Sequence, residues 1–300
     1  MYAIEVDNLS KSFGSTQAVE DVSFAVEQGE IFGLLGPNGA GKTTTIRMAL
    51  DIFKPDRGKV SILDGPMSEA KKKRIGYMPE ERGLYQDITL ERCLLYLASL
   101  KGVPEREARG RLGKLLERFS LGEHKGKKVK ELSKGMQQKA QIISTILHQP
   151  ELIIIDEPFT ALDPLNVQLV KDLIGELHQQ GVTILMSTHQ MHLVEELCER
   201  ILLINHGRDV LNGKLGEIQR RFSGHAVLVR AQGKLPMIQG VRESVPHNNA
   251  IKLLLEDWVT AQDVFQSLAA SGTIVDKFEI AIPSLDEIFI RVVAEGGSHG

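Results

Sequence analysis

Cysteine is scarce in this chain, with two among 300 residues. Cys93 and Cys198 sit in apolar helical contexts and lack metal-site spacing, so both are expected to be reduced core or semi-core residues, as suits a cytosol. No excess of basic charge is present: the formal net charge is -3 and the pI about 6.3. That balance argues against broad attraction to nucleic acid, and no nucleic-acid partner is expected. The short run Lys71-Lys72-Lys73-Arg74 reads as a solvated helix face. No apolar run approaches the roughly 18 to 20 residues that cross a bilayer. The opening "MYAIEVDNLSKSF" has no basic segment followed by an apolar core and is not expected to be a signal peptide. Any service to a membrane would therefore pass through a partner.

What is present is ordinary globular composition, 42% hydrophobic and 25% charged, enough for one large domain and a small one. "YAIEV", "VSFAVEQG" and "IFGLLG" are strand-like, and the last ends on a glycine turn followed by helix formers, "KTTTIRMALDIF". Residues 89–149 change character to helical spacing, with Thr89 and Ser133 placed to open helices. Sheet returns at "ELIIIDEP", "VTILMST" and "RILLINHG", short apolar runs that alternate with helices and predict parallel strands covered on both faces. The expected domains are 1–218, with a helical subdomain over about 86–149, then a linker at 219–225, a small α+β module over 226–295 and a disordered tail at 296–300. Ser284 with Glu287 three places on forms a capping-box pattern for a last helix.

Gly36-Pro37-Asn38-Gly39-Ala40-Gly41-Lys42-Thr43 fits G-x-x-x-x-G-K-S/T between a strand and a helix. Glycines let backbone N–H groups turn onto phosphate oxygens, and the helix start adds its dipole. In this context Lys42 would contact the β- and γ-phosphates, Thr43 would ligate Mg²⁺ and Thr44 could reach the α-phosphate. Asp156, at the end of "LIIID", could hold Mg²⁺ through water, and Glu157 is placed to polarise an attacking water.

The cradle, "LSKGM" at 132–136, "IIIDEP", "ALD" at 161–163 and "STH" at 187–189 stand in one order that resembles the ATP-binding subunit of ABC transporters. The resemblance covers about the first 215 residues. It implies an α/β P-loop NTPase core with an antiparallel β part and a helical subdomain, followed by the small α+β domain. It also implies ATP hydrolysis with Mg²⁺ and head-to-tail closure of two such subunits over two ATP molecules. Phe13 matches the aromatic that stacks on adenine, though a core phenylalanine at a strand end is a fair rival. Ser133, Lys134, Gly135 and Met136 match the signature that reaches ATP on the opposite subunit, and a helix start at Ser133 suits an anion. Asp163 matches the loop at the dimer interface, where the plain alternative is a helix N-cap. His189 matches the switch histidine beside the γ-phosphate, able to help hold water and Glu157 in line.

Two departures from the family pattern matter. Lys134 and Met136 replace the usual glycine and glutamine of the signature. Glu80, in "MPEERGLY", stands where many relatives have glutamine; a carboxylate only accepts hydrogen bonds, and although it could approach Mg²⁺ or water, nearby γ-phosphate would repel it. This variant resembles the branch serving ABC-2 type exporters, including sodium-efflux and drug-resistance systems, and "AIPSLDEIFIRVVAE" resembles their appended domain. The expected partners are a second nucleotide-binding subunit and integral membrane permease subunits, with the chain peripheral on the inner face of the cell membrane. The apolar stretch at 80–100 would receive the permease. A soluble ABC-type ATPase acting on a ribosome or nucleic-acid complex is the alternative, and a small-molecule P-loop kinase would need neither "LSKGM" nor His189.

Overall fold

A computed structural model describes residues 1–296 apart from Arg82, Gly224 and Asp257. The expectation of a disordered tail falls, from residue 297 on, outside the described residues. Contacts divide the chain into two units, Met1–Gly213 and Lys214–Gly300.

In the first unit, alternation of buried and exposed residues builds β1 (Tyr2–Phe13) and β2 (Thr16–Glu27). They pair antiparallel, and β1 also pairs with β4 (Arg57–Ile62) to complete a three-stranded sheet in the order β2-β1-β4. Between them in sequence lie β3 (Ile31–Leu35), all of whose residues are buried, and α1 (Lys42–Ala49). After the short α2 (Glu69–Lys72) and β5 (Ile75–Met78) comes the helical stretch α3 (Leu90–Leu100), α4 (Glu105–Arg118) and α5 (Lys134–Ile146). Thr89 and Ser133 cap α3 and α5 by accepting the N–H groups of Arg92 and Met136, which satisfies donors that a helix start leaves over.

Then β6 (Leu152–Asp156), α6 (Pro164–Gln179), β7 (Thr183–Thr188), α7 (Met191–Leu197), β8 (Arg200–Asn205) and β9 (Arg208–Lys214) complete the unit. A six-stranded sheet results, ordered β5-β6-β7-β3-β8-β9, with the pairs from β5 through β8 parallel. Strands β3, β6 and β7 are buried along their whole length, as strands covered on both faces require. Because these strands are parallel, the ends of β3, β6 and β7 open on the same edge of the sheet, where ligands of such sheets gather.

The second unit starts with α8 (Leu215–Phe222), a few residues before the expected 219–225 linker, because Leu215 and Ile218 give it a narrow buried face that loose apolar spacing hid. Strands β10 (Ala226–Ala231), β11 (Val241–His247), β12 (Ala250–Leu255) and β13 (Val275–Ile280) form an antiparallel sheet ordered β11-β12-β10-β13. Helices α9 (Ala261–Ala270) and α10 (Leu285–Gly296) belong to the same unit, and Val227, Leu253, Val264 and Leu268 lie in its core. The predicted box at α10 is present: Ser284 N–H donates to Glu287, and Glu287 N–H donates to the Ser284 hydroxyl, both at 3.3 Å.

His148, just after α5, is buried, and its Nε2–H donates to the Ile75 carbonyl at 3.2 Å. Burial first, and then the Lys101 charge, push its pKa from 6.5 down to about 4. The unfolded chain therefore binds the extra proton between those values, so stability is full above pH 6.5 and falls as pH drops toward 4. The loss is on the order of 3 kcal/mol. Urea unfolding of His148→Gln should show a flatter dependence on pH across that window than the wild type.

Candidate active site

The loop from β3 to α1 is shaped by glycines. Gly36 has φ +148°, and a Cβ there would lie 2.1 Å from the Ile204 carbonyl oxygen; Gly41 has φ +110°, with a Cβ 2.6 Å from that of Ala18. Neither position tolerates a side chain without moving backbone. At Gly39, by contrast, a Cβ would meet nothing within 4 Å, which leaves the open side of the loop free for close approach by a phosphate. A cavity of about 320 Å³ lies here, lined by Ala18, residues 38–44, Glu80, Asp156 and Glu157.

Lys42 is only 6% exposed. Its Nζ donates to the carbonyls of Gly36 at 2.8 Å and Pro37 at 3.2 Å, and stands 3.8 Å from Glu157 Oε1. The ammonium is thus held by the loop's own carbonyls with its charge beside the buried Glu157 carboxylate. Asp156, fully buried, accepts from Thr43 Oγ1 at 2.7 Å and from the Ser187 hydroxyl. These hydroxyls replace the water that a carboxylate loses on burial.

Glu157 follows as the chain leaves β6 and turns with φ +52°, unusual for a residue with a side chain. The turn is held on one side by Glu157 N–H donating to Ser187 O at 3.0 Å. Its carboxylate, 5% exposed, accepts from the Thr188 hydroxyl at 3.1 Å and from His189 N–H at 3.0 Å, and its Oε1 lies 2.9 Å from His189 Nδ1. The whole "STH" segment at the end of β7 therefore grips the Asp156–Glu157 pair. His189 keeps about half of its side chain exposed, so the imidazole can meet both Glu157 and an incoming group.

Among the described residues, none of Ser133, Lys134, Gly135 and Met136 lines that cavity. Ser133 is exposed at the start of α5, and a Cβ on Gly135 would sit 3.1 Å from the Ala161 carbonyl oxygen, so the "LSKGM" turn packs directly on the "ALD" loop of its own chain. Asp163 is the N-cap of α6: its carboxylate accepts from Asn166 N–H at 2.9 Å and from Asn166 Nδ2 at 2.6 Å, which holds it below the usual carboxylate range. Phe13 is 46% exposed and meets Phe53 edge to face at 5.5 Å, outside the residues lining the cavity. Glu80 lines the cavity from its exposed rim, while neighbouring Glu81 faces Arg47 at 3.9 Å.

Several groups here had no role in the sequence reading. Ser187 and Thr188 hold the two carboxylates, and Gln138 and Gln141 on α5 reach the turns after β6 and β5. The signal available for the glutamines was their spacing, three residues apart, which puts both on the side of the helix that also carries buried residues. For a metal, the Thr43 hydroxyl and the Asp156 carboxylate are hard oxygen donors side by side. That set fits Mg²⁺, which favours one or two protein oxygens together with phosphate and water. Among the described residues no group of three or more His, Cys, Asp or Glu forms a cage. Removing one donor should be costly: Ser187→Ala leaves an oxygen of buried Asp156 without its partner, and urea unfolding should register a loss of about 1–3 kcal/mol.

Comparison with known proteins accords with this geometry. The ABC transporter family model matches residues 19–160, and a model described as the C-terminal domain of DrrA1-3-like ATP-binding proteins matches residues 213–293. An uncharacterised ABC transporter ATP-binding protein of Bacillus subtilis is 43% identical over 97% of this chain and 98% of its own length. The linearmycin resistance ATP-binding protein of the same organism is 32% identical over 96% of this chain and 97% of its length. The Nod factor export ATP-binding protein I of Paraburkholderia xenovorans is 38% identical over 70% of each chain. A solved ATP-binding subunit of an ABC transporter superposes with a TM-score of 0.68 at 38% identity, covering 73% of this chain and 93% of that one. A dimeric ATP-binding cassette bound to ADP and Pi gives a TM-score of 0.65 at 24% identity, over 71% of this chain and 98% of that one, which speaks to the fold. This chain belongs to the ATP-binding proteins of ABC transporters, with an ATPase core and a DrrA-like C-terminal domain.

Proposed function

We propose that this ATPase energises a membrane exporter, by closing head to tail with a second nucleotide-binding subunit over two ATP molecules and passing that closure to separate permease subunits. The observation that carries the reading is the division of the site. The phosphate cradle, Asp156 and Glu157 share one cavity, while Ser133 opens a helix on exposed surface and lines none of it. A helix start is an anion-binding end, and an exposed one that lines no part of its own cradle's cavity is available to another subunit's nucleotide. Export is supported by relatives named for linearmycin resistance and Nod factor export. No helix among the described residues is long and apolar enough to cross a membrane, in keeping with a peripheral subunit that reaches the cytoplasmic face through a permease. Those relatives give no support to action on ribosomes or nucleic acid.

In this reading residues 36–44 wrap the phosphates. Lys42 neutralises charge at the β- and γ-phosphates, Thr44 contacts the α-phosphate, and Phe13 meets the adenine. Thr43 and, through water, Asp156 would hold Mg²⁺, with Glu80 near the same oxygens; the ion would supply charge neutralisation on the phosphates. Glu157 orients and deprotonates the attacking water. His189, hydrogen-bonded to Glu157, holds that carboxylate in line and donates toward the γ-phosphate. Ser133, Gly135 and the flanking Lys134 and Met136 close over the opposite nucleotide, and Asp163 lies at the dimer contact.

Glu157→Gln keeps the shape of the turn and removes the base. Its hydrolysis rate should fall by about 10²- to 10⁴-fold, and with Mg-ATP it should accumulate as a dimer of twice the 33.2 kDa chain mass in light scattering. A species that stays monomeric at saturating Mg-ATP would contradict closure between two copies.

A further inference from the structure

Helix α5 carries three buried amides, Gln137, Gln138 and Gln141, among Ala140, Ile142 and Ile143. Burying an amide is unfavourable unless it is hydrogen-bonded, so the places where their N–H groups go are informative. Gln137 donates to Leu132 O at the start of its own helix. The other two leave the helix. Gln138 Nε2 donates to Pro158 O at 3.2 Å and Glu157 O at 3.4 Å. Gln141 Nε2, one turn on and on the same face, donates to Pro79 O at 2.6 Å and Glu81 O at 3.3 Å.

Both targets are turns that contain a proline, and in the turn after β6 the local donor, Thr160 N–H, reaches Glu157 O only at 3.4 Å. Pro158 has no N–H, and Glu157 sits in a left-handed conformation that its neighbours must enforce. The amide side of that turn is fastened to Ser187 O, and its carbonyl side is held by Gln138. Gln141 fastens the segment on both sides of Glu80 in the same way, between the carbonyls of Pro79 and Glu81. The helix that begins at Ser133 thus grips, from one face, the turn bearing Glu157 and the segment bearing Glu80.

We propose that Gln138 and Gln141 are positioning residues of the ATPase reaction: through backbone carbonyls they set the aim of Glu157 and Glu80 relative to the helix opened by Ser133. Coupling of that aim to a nucleotide held by a second subunit rests on the two-subunit reading above; the alignment within one chain does not.

The test replaces Gln138 by methionine, of similar length but without N–H donors, and makes Gln141→Met in parallel. Thr145→Val serves as a control, because this buried hydroxyl on the same helix bonds to the Gln141 carbonyl within the helix. For each purified chain, kcat, the dissociation constant of a fluorescent ATP analogue and Tm are measured, and dimer formation is followed in the Glu157→Gln background. Gln138→Met should lose about tenfold or more in kcat, as expected when a reacting group is misplaced by a fraction of an ångström. Its affinity for the analogue should change less than about twofold, since the cradle's contacts are made elsewhere. Thr145→Val should lower Tm and keep kcat.

Wild-type kcat in Gln138→Met would overturn the proposal, as would a loss of kcat shared by a Thr145→Val chain of equal Tm. Should Gln138→Met not fold, Gln141→Met decides by the same criteria. A selective loss of kcat in a protein that never dimerises would uphold the positioning role and reject the two-subunit reading instead.

Discussion

Two adjacent carboxylates, taken out of water at the end of one parallel strand, are the constraint on which the first unit depends. Asp156 and Glu157 are both buried, and an ionised pair survives there only if donors surround it. Two segments supply them: Lys42 and Thr43 at the start of α1, and Ser187, Thr188 and His189 at the end of β7. That requirement explains why β3, β6 and β7 stand next to one another, in the order β6-β7-β3, with their ends on the same edge. It also explains the pattern of polar residues there. Thr188 and Ser187 end a fully buried strand, where their hydroxyls are satisfied by donating to the two carboxylates.

The same economy operates in the helical part. Helix α5 could have met the sheet with aliphatic side chains alone, and much of it does, through Ile142, Ile143 and Ile146. Its glutamines instead hold backbone carbonyls beside Glu157 and Glu80, at turns that each contain a proline. Packing and the hydrogen bonds to the turns beside Glu157 and Glu80 therefore share one element.

Much of this was legible in the sequence because the chemistry demands fixed spacings. A cradle must have glycines where Gly36 and Gly41 leave no room for a Cβ, and an apolar run must end at an acid where β6 reaches the sheet edge. The α/β core and a small α+β domain after it followed from the alternation of apolar runs and helical stretches, and the family resemblance agreed with them; that the small domain's sheet is antiparallel came from the structure. What stayed hidden depends on contacts distant along the chain. Gln141 acquires its part only when residues about 60 positions earlier fold against it, and Ser187 only when β7 lies beside β6. Phe13 illustrates the converse: its place at a strand end was evident, but its edge-to-face contact with Phe53 was not. Helix α8 escaped because it is short and mostly polar, although Leu215, Ile218 and Phe222 stand at helical spacing.

The central claim is that a complete site is built from two copies, one giving Lys42 and the other Ser133. It is tested most directly by mixing two purified variants, Lys42→Ala and Ser133→Glu, each expected to be inactive by itself. If sites form between chains, half of the dimers in an equal mixture pair the two variants, and each such dimer holds one intact site and one doubly damaged site. Activity should then return to about a quarter of wild type, as closed two-fold pairing requires. A mixture no more active than its separate components would contradict the account and place the whole site within one chain.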